Sequence, residues 1–418
     1  MHGRSCGTSW SRREVLAVAA GAGLAGKAHA APSSPVAVAR CPSYGSSVLP
    51  AMRRMFDQIG GIGKLVAGKT VAVKINMASP IDARTGFRAA WYTRWSHPDV
   101  VGAAVQLFGQ AGAKRVRILE SSSEDAHPLE ENFLIGGWDP SNLLKAAPVV
   151  EMENTGWIGY GKEYHRIDVP GKPRVYPGFD VNHSYVECDV LVSIAKLLEH
   201  QETGVSLSMD NMVGIAPPTI YGDSAGYEEP AARPYGARTM FRTGRRQPSP
   251  PSPKEISEAS PREPGYRLPR ITVDLVAARP IHLAIIDGIE TQTTAEVAAL
   301  DPGAKRQIRL VKPGILIAGL NPVCTDAVAA AAMGFDPQAD RGTAPFENCD
   351  STLRIAEEAG LGTRDLGAIE ILGTTVKAAR FPFRVYRSLA GCVLVSCEPN
   401  CRPRCLRGES IDIMQGPG

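Results

Sequence analysis

Hydrophobic residues along the chain fall into short runs of two kinds, separated by polar stretches rich in glycine and proline. Residues 36–39 and 70–75 are continuous apolar runs with β-branched members, which predicts buried strands. Between them, residues 49–58 have helical spacing and stop at Gly60-Gly61. His97-Pro98-Asp99 opens a helix that runs to Phe108, with Pro98 suited to its first turn and Ala111-Gly112 closing it. Residues 116–119 follow as a strand ending in Glu120-Ser121-Ser122. Farther on, 190–194, 282–286, 308–311, 315–318 and 369–372 read as strands, and 271–278, 325–333 and 353–359 as helices. Strands alternating with helices over short connections predict an α/β fold, a mostly parallel, helix-covered sheet in one or two lobes.

Residues 228–270 break this pattern with nine prolines, nine basic residues and five acidic ones, including Pro248-Ser249-Pro250-Pro251-Ser252-Pro253. Such a stretch cannot bury enough apolar surface to fold alone, so a disordered, proline-rich insertion is expected there. The expected organisation is a leader over 1–30 and an α/β unit over 31–227 that resumes over 271–380 after the insertion. A small cysteine-rich tail occupies 381–418.

Composition narrows the function classes. The chain is 44% hydrophobic and 21% charged, as for a folded globular protein. Its formal charge is +3, but the first thirty residues hold four of the 46 basic side chains and one of the 43 acidic ones, leaving 42 of each. A neutral surface with only 6% aromatic residues excludes nucleic acid as the expected partner. The longest apolar stretch is too short to span a bilayer, so no integral membrane segment is expected.

The leader has an address. Ser11-Arg12-Arg13-Glu14-Val15-Leu16 follows the twin-arginine export pattern, a weakly apolar stretch covers 15–26, and Ala28-His29-Ala30 supplies a small-x-small cleavage site. Export by the twin-arginine translocation machinery to the periplasm, with a mature start near Ala31, is the expectation. An ordinary secretory signal or an amphipathic helix is the plainer alternative. Twin-arginine substrates cross folded, often with a cofactor inserted beforehand, which favours a cofactor here.

In a sheet of this kind, ligands gather at the carboxyl ends of the parallel strands. The polar residues at or near those ends are Lys74, Asn76, Glu120, Ser121, Lys196, His200 and Asp287. Lys74, Asn76, Glu120, Asn211 and Asp287 are therefore expected to bind a small anionic ligand, and His200, Lys196 and His97 to act in catalysis. Asp287 with His97 or His200 is an alternative nitrogen–oxygen metal site. For any one of these residues a cap or ion pair is the plainer explanation, so the expectation rests on their meeting in one cavity. If the 196–211 segment is helical, Lys196 and His200 share a face. As solvated site residues, both should accept alanine with less than about 1 kcal/mol of lost stability.

At this point the residues carry a resemblance. Val73-Lys74-Ile75-Asn76, His97-Pro98-Asp99-Val100-Val101, Ala111-Gly112-Ala113-Lys114 and Glu120-Ser121-Ser122 come in the order found in a bacterial and archaeal family of unknown function, domain-of-unknown-function family 362. Lys196-Leu197-Leu198-Glu199-His200 with Asn211-Met212-Val213-Gly214 is similar to its central segment. Asp274, Ile286-Asp287-Gly288-Ile289-Glu290, Asn321-Pro322, 326–334, Ala359-Gly360-Leu361-Gly362 and Ile369-Glu370-Ile371 continue the likeness to residue 375 or so. The resemblance implies no established reaction. Many members resemble or are fused to ferredoxin-like iron–sulfur modules, which implies a redox setting. The long proline-rich insertion and the absence of ferredoxin cysteine spacing depart from that pattern.

Cys392, Cys397, Cys401 and Cys405 are separated by four, three and three residues. Four thiolates so close suit one iron–sulfur cluster (4Fe-4S) or a zinc ion, and in an oxidising compartment they suit two disulfides. Cys188 and Cys324 sit in apolar surroundings and are expected in the core. The function expected is an exported cofactor- or metal-dependent enzyme, redox in character, acting on a small anion. A non-catalytic periplasmic metal- or anion-binding accessory protein is the alternative, and a cofactor-free hydrolase ranks last.

Overall fold

A computed structural model describes residues 31–77, 84–85, 88–121, 128–156, 163–222, 238–245, 247–248, 250–293 and 309–383, with the backbone of 392–393 and 404–405. The 1–30 leader lies outside these residues, as do the side chains of the four tail cysteines. Along the backbone, Cys392 and Cys405 are register partners of a two-residue antiparallel pair.

Eight strands form the central sheet: Val36–Arg40 (β1), Thr70–Lys74 (β2), Arg115–Glu120 (β3), Val150–Asn154 (β4), Val190–Lys196 (β5), Leu283–Gly288 (β6), Ile315–Gly319 (β7) and Ile371–Gly373 (β8). Their order across the sheet is β8-β1-β7-β6-β5-β2-β3-β4. From β6 to β4 every pairing is parallel. Only β7 runs against its neighbours, antiparallel to both β6 and β1, while β8 pairs parallel with β1.

Strands of a sheet covered on both faces are apolar throughout, and the two-residue period sends alternate side chains to opposite layers. Val190, Val192, Ile194, Leu283 and Ile285 pack on one face with helices Val48–Gln58 (α1) and Pro98–Gln110 (α2). Leu191, Ala195, Ala284 and Ile286 pack on the other with Pro264–Ala278 (α3) and Pro322–Ala332 (α4). The helix starts follow the sequence signals. The His97 ring accepts from Asp99 N ahead of Pro98, and the Asn321 side chain accepts from Cys324 N ahead of Pro322.

The expected mostly parallel, helix-covered sheet is present, with differences at its margins. The edge strand β4 and the hairpin Tyr164–Asp168 with Gly178–Asn182 have no counterpart in the sequence reading. Their charged residues, Glu151 and Glu153 among them, hide the apolar run that marks a buried strand. The strand expected at 308–311 is Arg309–Val311, and it pairs with Thr291–Thr293 outside the central sheet.

The 228–270 stretch also departs from expectation over its described part. Helix α3 begins at Pro264, inside it, and Arg267 is fully buried. Arg267 donates to Glu255 at 2.7 Å and to the carbonyls of Met240 and Phe241. Arg262 adds a second ion pair to Glu255 at 2.7 Å. Charge pairing, which a composition argument does not count, anchors the segment together with the buried Met240, Phe241 and Leu268.

Cys41, Cys188, Cys324 and Cys349 are buried free thiols. Among the described residues, no helix is long and apolar enough to cross a membrane.

Candidate functional site

Lys74, Glu120, Lys196 and Asp287 occupy the carboxyl ends of β2, β3, β5 and β6, a contiguous part of the sheet. They do not share one cavity. They form two separate buried ion pairs, and the strand period sends the two lysines to opposite faces. Lys196 follows Val192 and Ile194, and Asp287 follows Ile285, so both leave on the α1–α2 face. Lys74 follows Ala72, which packs in the opposite layer.

Lys196 and Asp287 are register partners on adjacent parallel strands. The ammonium donates to Asp287 Oδ2 at 2.8 Å, Tyr44 Oη at 2.8 Å and the Trp91 carbonyl at 2.9 Å, which uses its three donors. Asp287 also accepts from the Tyr44 hydroxyl, from Ile289 N and from His97 N. Both members of the pair have no exposed side-chain surface. Burial pushes the Lys196 amine down and the Asp287 charge opposes that. Lys196 is thus not the solvated site residue expected. Asp287 has its carboxylate occupied by cation, hydroxyl and amide donors, which removes it from the expected metal site with His97 or His200.

On the other side of the strand ends, Lys74 Nζ meets Glu120 Oε1 at 2.7 Å and Asn211 Oδ1 at 3.0 Å. Glu120 also accepts from Met77 N at 2.7 Å and Ser121 N at 2.8 Å. Burial lowers the Lys74 pKa, with Glu120 opposing. Asn211 lies on the short 3-10 turn Asp210–Ile215, whose Gly214 comes so close that a Cβ there would stand 2.7 Å from Lys74 Nζ. The turn is held from behind by Asp326 of α4, which accepts from Ser208 N, Ser208 Oγ and Met209 N. Burial raises Asp326 to about 7. Further hydrogen bonds tie the Lys74 side of the edge to β5 and to the segment before His97. Asn211 donates to Ser193 Oγ at 2.9 Å, Ser96 Oγ donates to the Ile194 carbonyl at 2.6 Å, and Asn76 N donates back to Ser96 Oγ.

Arg238 is the residue that sequence reasoning missed, since it falls in the proline-rich stretch with no motif around it. Its guanidinium is buried beside Ser121, donating to the carbonyls of Ala216, Ser121 and Gly214 and to Ser121 Oγ. No carboxylate touches it among the described residues. Burial holds it down to about 10, so it stays cationic at neutral pH. Tyr44, on the loop after β1, was equally unmarked.

His97 faces its pair with its backbone, and its ring lies stacked on Tyr44 at 3.6 Å with Tyr92 and Trp138 at its edges. Nδ1 accepts from Asp99 N, so the neutral ring carries its proton on Nε2, which is buried with no partner among the described residues. Burial first, then the Lys196 charge, pushes the ring down to about 2. The unfolded chain takes up a proton near the ordinary value of 6.5 that the fold refuses, so stability is complete above that value and lost as pH falls. The loss between about pH 8 and about pH 5 should be about 2 kcal/mol. Chemical denaturation at those two pH values should show that difference in the wild type and not in His97→Asn, which keeps the cap. Equal slopes would mean a solvated ring.

His200 joins neither pair. It lies on the hairpin Leu198–His200 with Gly204–Ser206, not on a helix, and its Nδ1 accepts from Glu202 N. Among the described residues no group of three His, Cys, Asp or Glu is placed to hold a metal ion. Cys392, Cys397, Cys401 and Cys405 lie outside the described side chains. The hydrolase reading has one spacing in its favour that its last place left out, Gly222-Asp223-Ser224-Ala225-Gly226. Ser224 lies outside the described residues, and the element before Gly222 is the one-turn helix Pro218–Tyr221, where a nucleophile elbow needs a strand.

No curated protein matches the chain. Among solved structures, a crystal structure of a Thermotoga maritima protein is similar at 12% identity with a TM-score of 0.30, covering 61% of this chain and 53% of that one. The chain thus spans about half the length of that protein. Residues 71–331, more than half of the chain, match the family described as Domain of unknown function (DUF362). The matched stretch includes both ion pairs, Arg238 and Asp326. With the ordered motifs and this match together, the chain belongs to the DUF362 family.

Proposed function

We propose that the protein is an exported, cofactor-dependent enzyme, redox in character, which holds a small anionic ligand at the carboxyl edge of its sheet. The observation behind the ligand class is the charge count at that edge. Lys74 cancels Glu120 and Lys196 cancels Asp287, while the buried Arg238 is in contact with no carboxylate among the described residues. An uncompensated buried charge costs several kcal/mol, and an anionic ligand would offset that.

In this reading Lys74, Asn76, Glu120 and Asn211 shape the edge, Asp287 and Lys196 brace it, and the neutral His97 ring is its proton-bearing group. His200 stands apart from them. Export rests on the paired arginines and the Ala28-His29-Ala30 site. The redox character rests on the tail, where Cys392, Cys397, Cys401 and Cys405 would hold an iron–sulfur cluster or a zinc ion. A cluster supplies electron transfer when bound, and zinc supplies a structural cross-link. The non-catalytic accessory reading has one observation in its favour: both lysines already donate within the fold, so neither is free to move a proton.

Protein exported by its native host and purified without oxygen should begin near Ala31, contain bound iron and show a visible absorption band. Colourless, metal-free protein with two tail disulfides by mass would favour the accessory reading instead.

A further inference from the structure

We propose that Arg238 and Ser121 form the contact site for a small oxyanion, a carboxylate or phosphate group, at the carboxyl ends of β3 and β4. This rests on the anionic-ligand reading and adds the residues and the chemical class.

The guanidinium has five N–H donors in a fixed fork. Nε donates to the Ala216 carbonyl at 2.6 Å, and Nη2 donates to the Ser121 carbonyl at 3.0 Å and Ser121 Oγ at 3.1 Å. Nη1 has no hydrogen-bond partner among the described residues. Since Ser121 Oγ accepts from Nη2, its own proton points away from that nitrogen and can serve a further acceptor. The nearest carboxylate cannot neutralise them, because Glu120 is held by Lys74, Met77 N and Ser121 N.

Packing beside the serine is close, and it requires a glycine. At Gly156, just past β4, a Cβ would stand 2.9 Å from Ser121 Oγ, 3.1 Å from Pro218 Cδ and 3.2 Å from Asn154 Oδ1. Any larger residue would press on the serine hydroxyl. Arg238 is also the only non-glycine residue with positive φ, at 54°, among the described residues. A left-handed arginine persists only where its surroundings demand it, as at ligand sites. A positive fork with a free Nη1 beside a serine hydroxyl fits one oxyanion. A neutral ligand would leave the guanidinium charge uncompensated, and a cation would be repelled.

The test uses the full chain with two probes, inorganic phosphate and succinate, read by calorimetric titration. The wild type should bind one of them at one per chain, and which one it binds separates a phosphate from a carboxylate ligand. Arg238→Gln should weaken that binding at least about tenfold, the loss of a hydrogen bond to a charged group. Ser121→Ala, which keeps the cation and covers the case in which Arg238→Gln does not fold, should weaken it about threefold or more. Wild-type binding that both variants retain unchanged would overturn the Arg238–Ser121 site and leave the anionic-ligand reading standing. No binding of either probe by the wild type at millimolar concentration would overturn both.

Discussion

Replacing Lys196 with Met should destabilise the fold by about 3–5 kcal/mol, because it strands a carboxylate that has no exposed surface. The residual donors to Asp287, namely the Tyr44 hydroxyl, His97 N and Ile289 N, soften the loss without removing it. The structural account makes a sharper claim about the pair. Asp287→Asn alone leaves a buried ammonium with neutral acceptors and no counter-charge. The double variant carries neither charge, so its loss should fall short of the two single losses combined by about 1–3 kcal/mol. Urea denaturation of the four proteins measures this directly. Additive losses would show that the two side chains do not depend on each other. A loss of less than about 1 kcal/mol for Lys196→Met would restore the solvated, acid–base reading of that lysine.

The second large effect is expected at Glu120. Glu120→Gln keeps the shape of the side chain and removes the only carboxylate in contact with Lys74 among the described residues, so two cations, Lys74 and Arg238, remain buried near one another. A loss of about 3–5 kcal/mol follows from the stranded charge. This variant should also respond to anions. Adding phosphate should recover stability in Glu120→Gln beyond the gain in the wild type, by up to about 2.7 kcal/mol at a hundredfold excess over its dissociation constant. The same salt concentration as chloride controls for screening. If phosphate and chloride act alike, no anion is being captured at that position. If the variant is as stable as the wild type, Lys74 has another counter-charge.

The candidate site was legible by position and misread by environment. Lys74, Glu120, Lys196 and Asp287 were found from one rule, that polar residues after apolar strands mark the carboxyl edge of a parallel sheet, and all four lie on that edge. What the rule leaves out is depth. A lysine after Val192 and Ile194 looks solvent-bound on paper, but the 41–47 loop and the Ala90–Thr93 turn close over it and supply Tyr44 and the Trp91 carbonyl. Lys196 and His200 were paired by helical spacing. The chain is extended there, so that spacing has no meaning.

Arg238 shows a different failure. It lies in a stretch rich in prolines and arginines, and composition assigns such a stretch to an insertion. Its place comes from contacts more than twenty positions distant, to Ala216, Gly214 and Ser121, and local periodicity cannot encode them.

Local sequence alone determined the strands and helices with strong periods, the proline and asparagine signals at the helix starts, the sheet type and the family motifs. These follow from apolar spacing and capping, which act within a few residues. Tertiary structure alone decided that the lysines are neutralised, that Asp287 is closed to a metal, that His97 is kept uncharged, and that an arginine from an unpromising stretch stands beside Ser121. Each of these depends on how much water remains around a charge and which opposite charge replaces it. Both are set by chain segments far apart in sequence, and only the packed fold brings them together.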